Sequence, residues 1–168
     1  SSKGFECTII VLNSKSDYTF LIKPKVKIKN LNTNRVFFSF FKLRKFLLNT
    51  NPDVVISALT HINVLVCLSS IFMKHKVIDL EHIPVISHIK QKWFNLIVYI
   101  LAIFAYKFSD YVISSCKQLN QDLEKYLLIS KDKIKTFYCP VVSDEYIDLS
   151  KEKIEESNFI NLKNNYKI

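Results

Sequence analysis

At 168 residues, 49% of them hydrophobic and 23% charged, the chain is long and apolar enough to bury one core, and its recurring apolar runs exclude disorder of the main body. Its single glycine, Gly4, against a usual share of roughly 7%, argues against a loop that cradles phosphate tightly with backbone N–H groups. The net charge of +9 admits nucleic acid, an anionic membrane surface or a phosphorylated substrate as partner, and its sign alone does not choose.

Ser1-Ser2-Lys3-Gly4 runs at once into an apolar stretch from Cys7 to Leu12, with no initiator Met and no basic segment leading an apolar signal core, so the chain reads as a piece of something longer. Phe5 to Leu12 predicts a buried strand closed by the turn-like Asn13-Ser14-Lys15-Ser16. Val26 and Ile28 alternate with Lys25, Lys27 and Lys29, a period of two that predicts a half-exposed strand with a solvated lysine edge. Phe37 to Leu48 places Phe37, Phe40, Phe41, Phe46 and Leu47 near helical spacing, and the helix should stop before Asn51-Pro52. Asp53 to Ser57 is a β-branched run after a proline, predicting a parallel strand buried on both faces.

Ile62 to Phe72 then predicts a helix and Lys76 to Leu80 a strand ending in Glu81-His82-Ile83-Pro84. A long helix is expected from about Lys90 to Phe108. Its apolar stretch WFNLIVYILAIFA falls short of the roughly 20 residues that span a bilayer, so it reads either as a core helix or as one lying on a membrane surface, where Lys90, Lys92, Trp93, Tyr99, Tyr106 and Lys107 would give it an interfacial dress. Tyr111 to Ser114 predicts a strand, Cys116 to Leu127 a helix, and Ile134 to Tyr138 a strand halted by Pro140. Strictly alternating strands and helices imply right-handed crossovers and an α/β, Rossmann-like, mostly parallel sheet with helices on both faces. Residues 1–142 are read as this domain and the charged, Asn-rich residues 143–168 as a linker or surface helix.

In such a sheet ligands bind beyond the C-terminal ends of the strands. That rule selects Thr60 to Asn63, Glu81-His82, Ser114 to Cys116 and Tyr138 to Pro140. His82 is singled out because an imidazole can donate to a sugar hydroxyl or phosphate oxygen; the plain alternative is a histidine satisfied within its loop. Glu81 would accept from a hydroxyl or hold His82. His61 reads as a ligand or a helix cap, and Ser115 as a cap or as part of an anion site at a helix N-terminus. His75 and His88 read as surface residues. The widely spaced Cys7, Cys67, Cys116 and Cys139 form no C-x-x-C pair and lie in apolar segments, which predicts buried free thiols and a reducing, cytoplasmic setting. No Gly-rich nucleotide motif, serine elbow or zinc helix is present, and the basic groups lack the aromatic interleaving of an RNA-binding surface, so nucleic acid is not an expected partner.

The runs LRKFLLNTNPDVVISALTHINVLVCLSSIF, KVIDLEHIP and KFSDYVISSCKQLNQDLEKYLLISKDKIKTFYCPVV resemble, over roughly Leu43 to Val142, the N-terminal domain of glycosyltransferase family 4 enzymes, one half of a GT-B fold. The helix before PDVV, the Thr-His pair after it, the Glu-His pair two elements later and the aromatic-x-x-x-Asp-x-Val-x-x-Ser stretch carry the likeness. Cys116 stands where an acidic or polar residue is usual, and Cys139-Pro140-Val141-Val142-Ser143 replaces Asn-Pro-Val-Asp. The resemblance implies retaining transfer of a hexosyl group from a nucleotide-sugar to a saccharide or lipid-linked acceptor, in polysaccharide or glycolipid synthesis, with no metal cofactor. His82 would lie near the donor sugar and phosphates with Glu81 beside it, His61 and Asn63 would line the acceptor side, and Ser115 would open a helix. The family's first strand, Gly-rich loop and first helix, and its donor-binding second domain, have no counterpart in the chain, which implies that the chain alone is inactive. The expected place of work is the cytoplasm, peripheral to the inner face of the cytoplasmic membrane. The rival expectation is a non-catalytic membrane-surface or interaction module, or a degenerate remnant, built on the Trp93 to Phe108 helix.

Overall fold

The computed structural model describes residues 4–12, 26–33, 36–83 and 93–138. These belong to a compact unit, Ser1–Tyr138; the second unit, Cys139–Ile168, lies outside the described residues, as do Cys139, His88 and the linker expected over 143–168. Strands β1 (Thr8–Val11) and β2 (Lys27–Asn30) precede helix α1 (Val36–Thr50). Then β3 (Val54–Ala58), α2 (Thr60–Ser69), β4 (Lys76–Glu81), α3 (Trp93–Ala105), β5 (Tyr111–Ser114), α4 (Lys117–Leu127) and β6 (Ile134–Thr136) alternate, with single 3₁₀ turns at Tyr106–Phe108 and Lys131–Lys133. The pairing is parallel throughout: β1 with β2, and a four-stranded sheet in the order β3-β4-β5-β6. Winding in one direction with an intervening helix at each step is what the alternating pattern dictates.

The register sets Val55 beside Val77 and Ser57 beside Asp79, then Glu81 beside Ser114 and Val112 beside Ile134. All of these are buried, and they form the sheet face onto which the helices pack. Cys67 of α2 reaches Asp79, Tyr106 after α3 reaches Glu81, and Asn120 of α4 reaches Ser114 and Thr136. Leu119, Leu123 and Leu127, at i, i+4 and i+8, close the core beneath α4, and the removal of each from water stabilises the fold by about 1.5–3 kcal/mol. α4 ends on Leu128 in the left-handed conformation, with φ of 54°.

Several expectations change in detail. β3 is not buried on both faces: Val55 and Ser57 are covered, whereas Val54 is 47% and Ile56 65% exposed, because β3 is the edge of its sheet and the helices described pack on the other side. The buried stripe of α1 is Ser39, Leu43 and Leu47, four residues apart, rather than its phenylalanines; Phe40 and Phe46 flank it half-buried and Phe41 is exposed. Arg44 on the same helix donates to the carbonyls of Ser69 (2.9 Å) and Ile71 (3.0 Å), filling acceptors that the end of α2 leaves open. His75 is a core residue, only 8% exposed and 2.8 Å from the Ser70 hydroxyl, so its reading as a surface histidine fails. Of the cysteines described, only Cys67 is buried; Cys7 and Cys116 are exposed free thiols, each lying at an element's start where the chain has not yet entered the core.

Candidate active site

Parallel strands bring their C-terminal ends to one edge, and there the register aligns Ala58 with Leu80 and Glu81 with Ser114. The residues that leave these ends, Leu59 to His61, His82 and Ser115-Cys116, therefore share an edge. The chain leaves β3 through Leu59 with φ of 80° and ψ of 128°, a conformation that L side chains rarely adopt, and enters α2 directly. Ile62 N and Asn63 N both donate to Leu59 O at 2.9 Å, while no side chain caps α2. α4 likewise starts, at Cys116, without a side-chain cap. Two helix N-termini without a side-chain cap thus face the same edge, the partial positive charge of each turned toward it.

Glu81 binds this edge together from inside. Its side chain is 1% exposed and accepts from Thr60 Oγ1 (3.1 Å), from Asn63 Nδ2 (3.0 Å) and, in a short contact, from the Tyr106 hydroxyl. Asn63 is fully buried and also donates to Leu80 O at 3.0 Å. Two residues earlier, Asp79 accepts from Ser57 Oγ at 2.7 Å and Cys67 Sγ at 3.0 Å. Burial pushes both carboxyls above the usual carboxylate range, and the hydrogen bonds offset this only in part; for Glu81 the neighbouring Asp79 charge adds to the rise. Burial, then the charges of Glu81 and Asp79, hold Tyr106 well above the ordinary phenol value. The Cys67 thiol is pushed up by burial first and then by Asp79, which keeps it an inert donor.

The expected site residues therefore divide. His82 and His61 are exposed on the edge, and Ser115 sits half-buried between β5 and α4. Ser115 opens no helix, for the residue at the α4 cap is Cys116; it is Ser114 that bonds Asn120 and the Cys116 carbonyl. Glu81 and Asn63 are interior positioning groups: Glu81 accepts from Thr60, Asn63 and Tyr106, and Asn63 Nδ2 donates to Leu80 O and Glu81 while its Oδ1 lies buried with no partner among the described residues. Glu81 does not hold His82, since alternation along β4 turns it to the helix side while His82 has already left the strand. Asp79 and Tyr106 complete the arrangement with Thr60, which the strand-end rule had selected; Asp79 was not singled out, and Tyr106, expected in an interfacial dress, is 2% exposed and turned to Glu81. Two acids two residues apart at the end of β4, Asp79 and Glu81, are the signal of the shared face that the sequence carries.

A hollow of about 450 Å³ lined by Lys107, Phe108, Asp110, Tyr111, Lys133 and Lys135 opens at the opposite, N-terminal edge of β5 and β6, away from these loops. Among the described residues no three His, Cys, Asp or Glu side chains gather as a group able to hold a metal ion, and no helix is long and apolar enough to cross a membrane.

At the level of sequence no curated protein matches the chain. Among solved structures, the lipopolysaccharide outer core galactosyltransferase WaaB in its apo form is similar in fold, with a TM-score of 0.58 at 16% identity over 77% of this chain. The likeness covers 34% of that enzyme, so the chain spans about a third of its length. The Rossmann-like half of a GT-B fold that the alternating pattern and the resemblance predicted is thereby matched. The family model Glycosyltransferase Family 4 matches residues 1–145, the greater part of the sequence, and the chain belongs to that family.

Proposed function

We propose that the chain is the acceptor-side part of a transferase that moves a hexosyl group, with retention of configuration, from a nucleotide-sugar to a saccharide or lipid-linked acceptor in the synthesis of a polysaccharide or glycolipid. The observation that carries this reading is the edge itself. Exposed His82 and His61 and two helix N-termini without a side-chain cap share it, and Glu81 anchors the turn that holds them from beneath. The helix ends favour the negative charge of a diphosphate leaving group, and the His82 imidazole is placed to donate to a hydroxyl of the transferred sugar. His61, in the first turn of α2, is assigned to the acceptor side, and Ser115, beside the start of α4, to the anion bound there. The mechanism invokes no metal ion and no nucleic acid, and the reaction is placed in the cytoplasm, at the inner face of its membrane. The galactosyltransferase similarity makes a galactosyl donor the first to try.

The chain by itself is proposed to be inactive, since positioning a donor needs contacts from both sides of the sugar and supplies much of the rate. The test is a transfer assay on the longest natural form of the protein, with a panel of nucleotide-sugars, comparing wild type with His82→Ala. A fall of at least roughly tenfold in kcat/KM with folding intact supports the assignment of His82. Equal rates remove His82 from the site, and no transfer from any form favours a non-catalytic module or a remnant. Turnover by the 168-residue chain alone would overturn its proposed inactivity.

A further inference from the structure

Alternation at the start of β6 buries Ile134 and leaves Lys133 and Lys135 on its other side. The register sets Val112 beside Ile134 and Ile113 beside Lys135, so Tyr111, one residue before Val112, shares that outer side. The Lys133 ammonium donates to the carbonyls of Lys107 (3.0 Å) and Ser109 (2.7 Å), which ties the turn after α3 to β6. The hollow of about 450 Å³ opens between these segments, with Lys107, Phe108, Tyr111 and Lys135 in its lining. A volume of that size falls in the range of small-ligand sites, roughly 300–1,000 Å³.

Three lysines and two aspartates line the hollow, and both aspartates are already engaged. Asp110 accepts from Lys76 Nζ at 2.8 Å and from Val77 N at 2.9 Å, and Asp132 accepts from the Ser130 hydroxyl in a short contact. Lys107 and Lys135 are exposed, and neither forms an ion pair among the described residues. Lys133 spends two of its three donors on the carbonyls at the end of α3, which answers the partial negative charge of that helix end and leaves one donor over. The hollow therefore offers cations to an anion. Beside them Phe108 and Tyr111 are 40% and 44% exposed, so the ligand that fits also has an apolar face. A pyranose presents such a face in its C–H groups, and a uronate or a sugar phosphate adds the charge. The one glycine, Gly4, lies outside the hollow, so no glycine-rich loop is present there to wrap a di- or triphosphate; a single anionic group matches the point charges of two lysines. We propose that this hollow binds an acidic saccharide, a pyranose laid on Tyr111 and Phe108 with its carboxylate or phosphate between Lys107 and Lys135. The site lies at the edge opposite the strand-end loops, and the inference holds whether or not sugar transfer is found.

The test is titration of the isotopically labelled 168-residue chain, followed by the shifts of its backbone amide signals, with trigalacturonate, a hexose monophosphate, neutral maltotriose, inorganic phosphate and a nucleoside monophosphate as probes. The two acidic saccharides should move the amides of residues 107–111 and 132–135, and the tighter of the two tells carboxylate from phosphate. Maltotriose and inorganic phosphate should each bind at least about tenfold more weakly, since one lacks the charge and the other the ring. Lys107→Ala combined with Lys135→Ala removes two exposed ammonium groups that form no ion pair among the described residues; the variant should keep its circular dichroism and lose at least about tenfold in affinity for both acidic saccharides. Tyr111→Ser should lose about fivefold for them and leave the binding of inorganic phosphate unchanged. Amides of the hollow that move with neither acidic saccharide, or equal binding by the folded double variant, overturn the proposal. So does inorganic phosphate bound as tightly as the saccharides, which would leave an anion patch without sugar recognition, and so does tighter binding of the nucleoside monophosphate, which would make a nucleotide the ligand.

Discussion

Replacing Glu81 tests whether the edge is held from within. In Glu81→Ala three donors lose their acceptor. The Tyr106 hydroxyl is fully buried, and an orphaned buried donor costs about 1–3 kcal/mol; Asn63 Nδ2 keeps Leu80 O and the Tyr106 oxygen as acceptors, and Thr60, part-exposed, finds water and adds little. Adding the void left by a side chain only 1% exposed, the variant should lose about 2–4 kcal/mol, a large share of a domain's stability. Glu81→Gln keeps the shape and one carbonyl acceptor for Tyr106 and Asn63, and its amide can donate to Thr60 Oγ1, so it should stay within about 1 kcal/mol of wild type. The sign of the pH effect follows from the raised carboxyl. A group whose folded pKa lies above its unfolded value, about 4.3 for Glu, contributes fully below that value and loses its contribution as pH rises through the folded pKa. Wild type should therefore weaken on going from acid toward and past that folded value. Glu81→Gln should show a shallower decline, with the remainder carried by Asp79, whose carboxyl is raised in the same sense. Urea unfolding at a series of pH values, read as midpoint and slope, measures all of this. An Ala variant within about 1 kcal/mol of wild type, or a Gln variant as damaged as the Ala variant, would refute the claim that these hydrogen bonds hold the edge.

Two further outcomes follow from the geometry. In the native protein iodoacetamide should modify exposed Cys7 and Cys116, while buried Cys67, hydrogen-bonded to Asp79, reacts only after unfolding; mass spectrometry of timed digests that found all three modified together would contradict the buried network. Leu59→Gly should raise stability by about 1 kcal/mol, because φ of 80° strains a leucine and not a glycine, and half of the leucine side chain is already exposed; a lower urea midpoint would show that its packing outweighs the strain.

The order of elements, the parallel pairing and the edge on which a ligand would rest were legible in the chain itself. A β-branched run such as Asp53 to Ser57 opened by Pro52, a period of two through Lys25 to Lys29, and apolar residues near helical spacing in α1 are local signals of element type, set by backbone geometry within one element. That His82 would sit at a strand end followed from the same signals. Which way Glu81 and Asn63 turn did not, because their partners Tyr106 and Thr60 lie 25 and 21 residues from Glu81 along the chain and meet it only when α2 and α3 dock on the sheet. Docking likewise put His75 in the core, left Val54 and Ile56 open at the sheet's edge, and chose which side of the largely apolar α3 faces outward. Periodicity tells a buried face from an exposed one only where the two differ in polarity, and in α3 they do not; there the choice belonged to the Tyr99 hydrogen bond and the small Ala102 and Ala105, which let that side, and no other, approach the core.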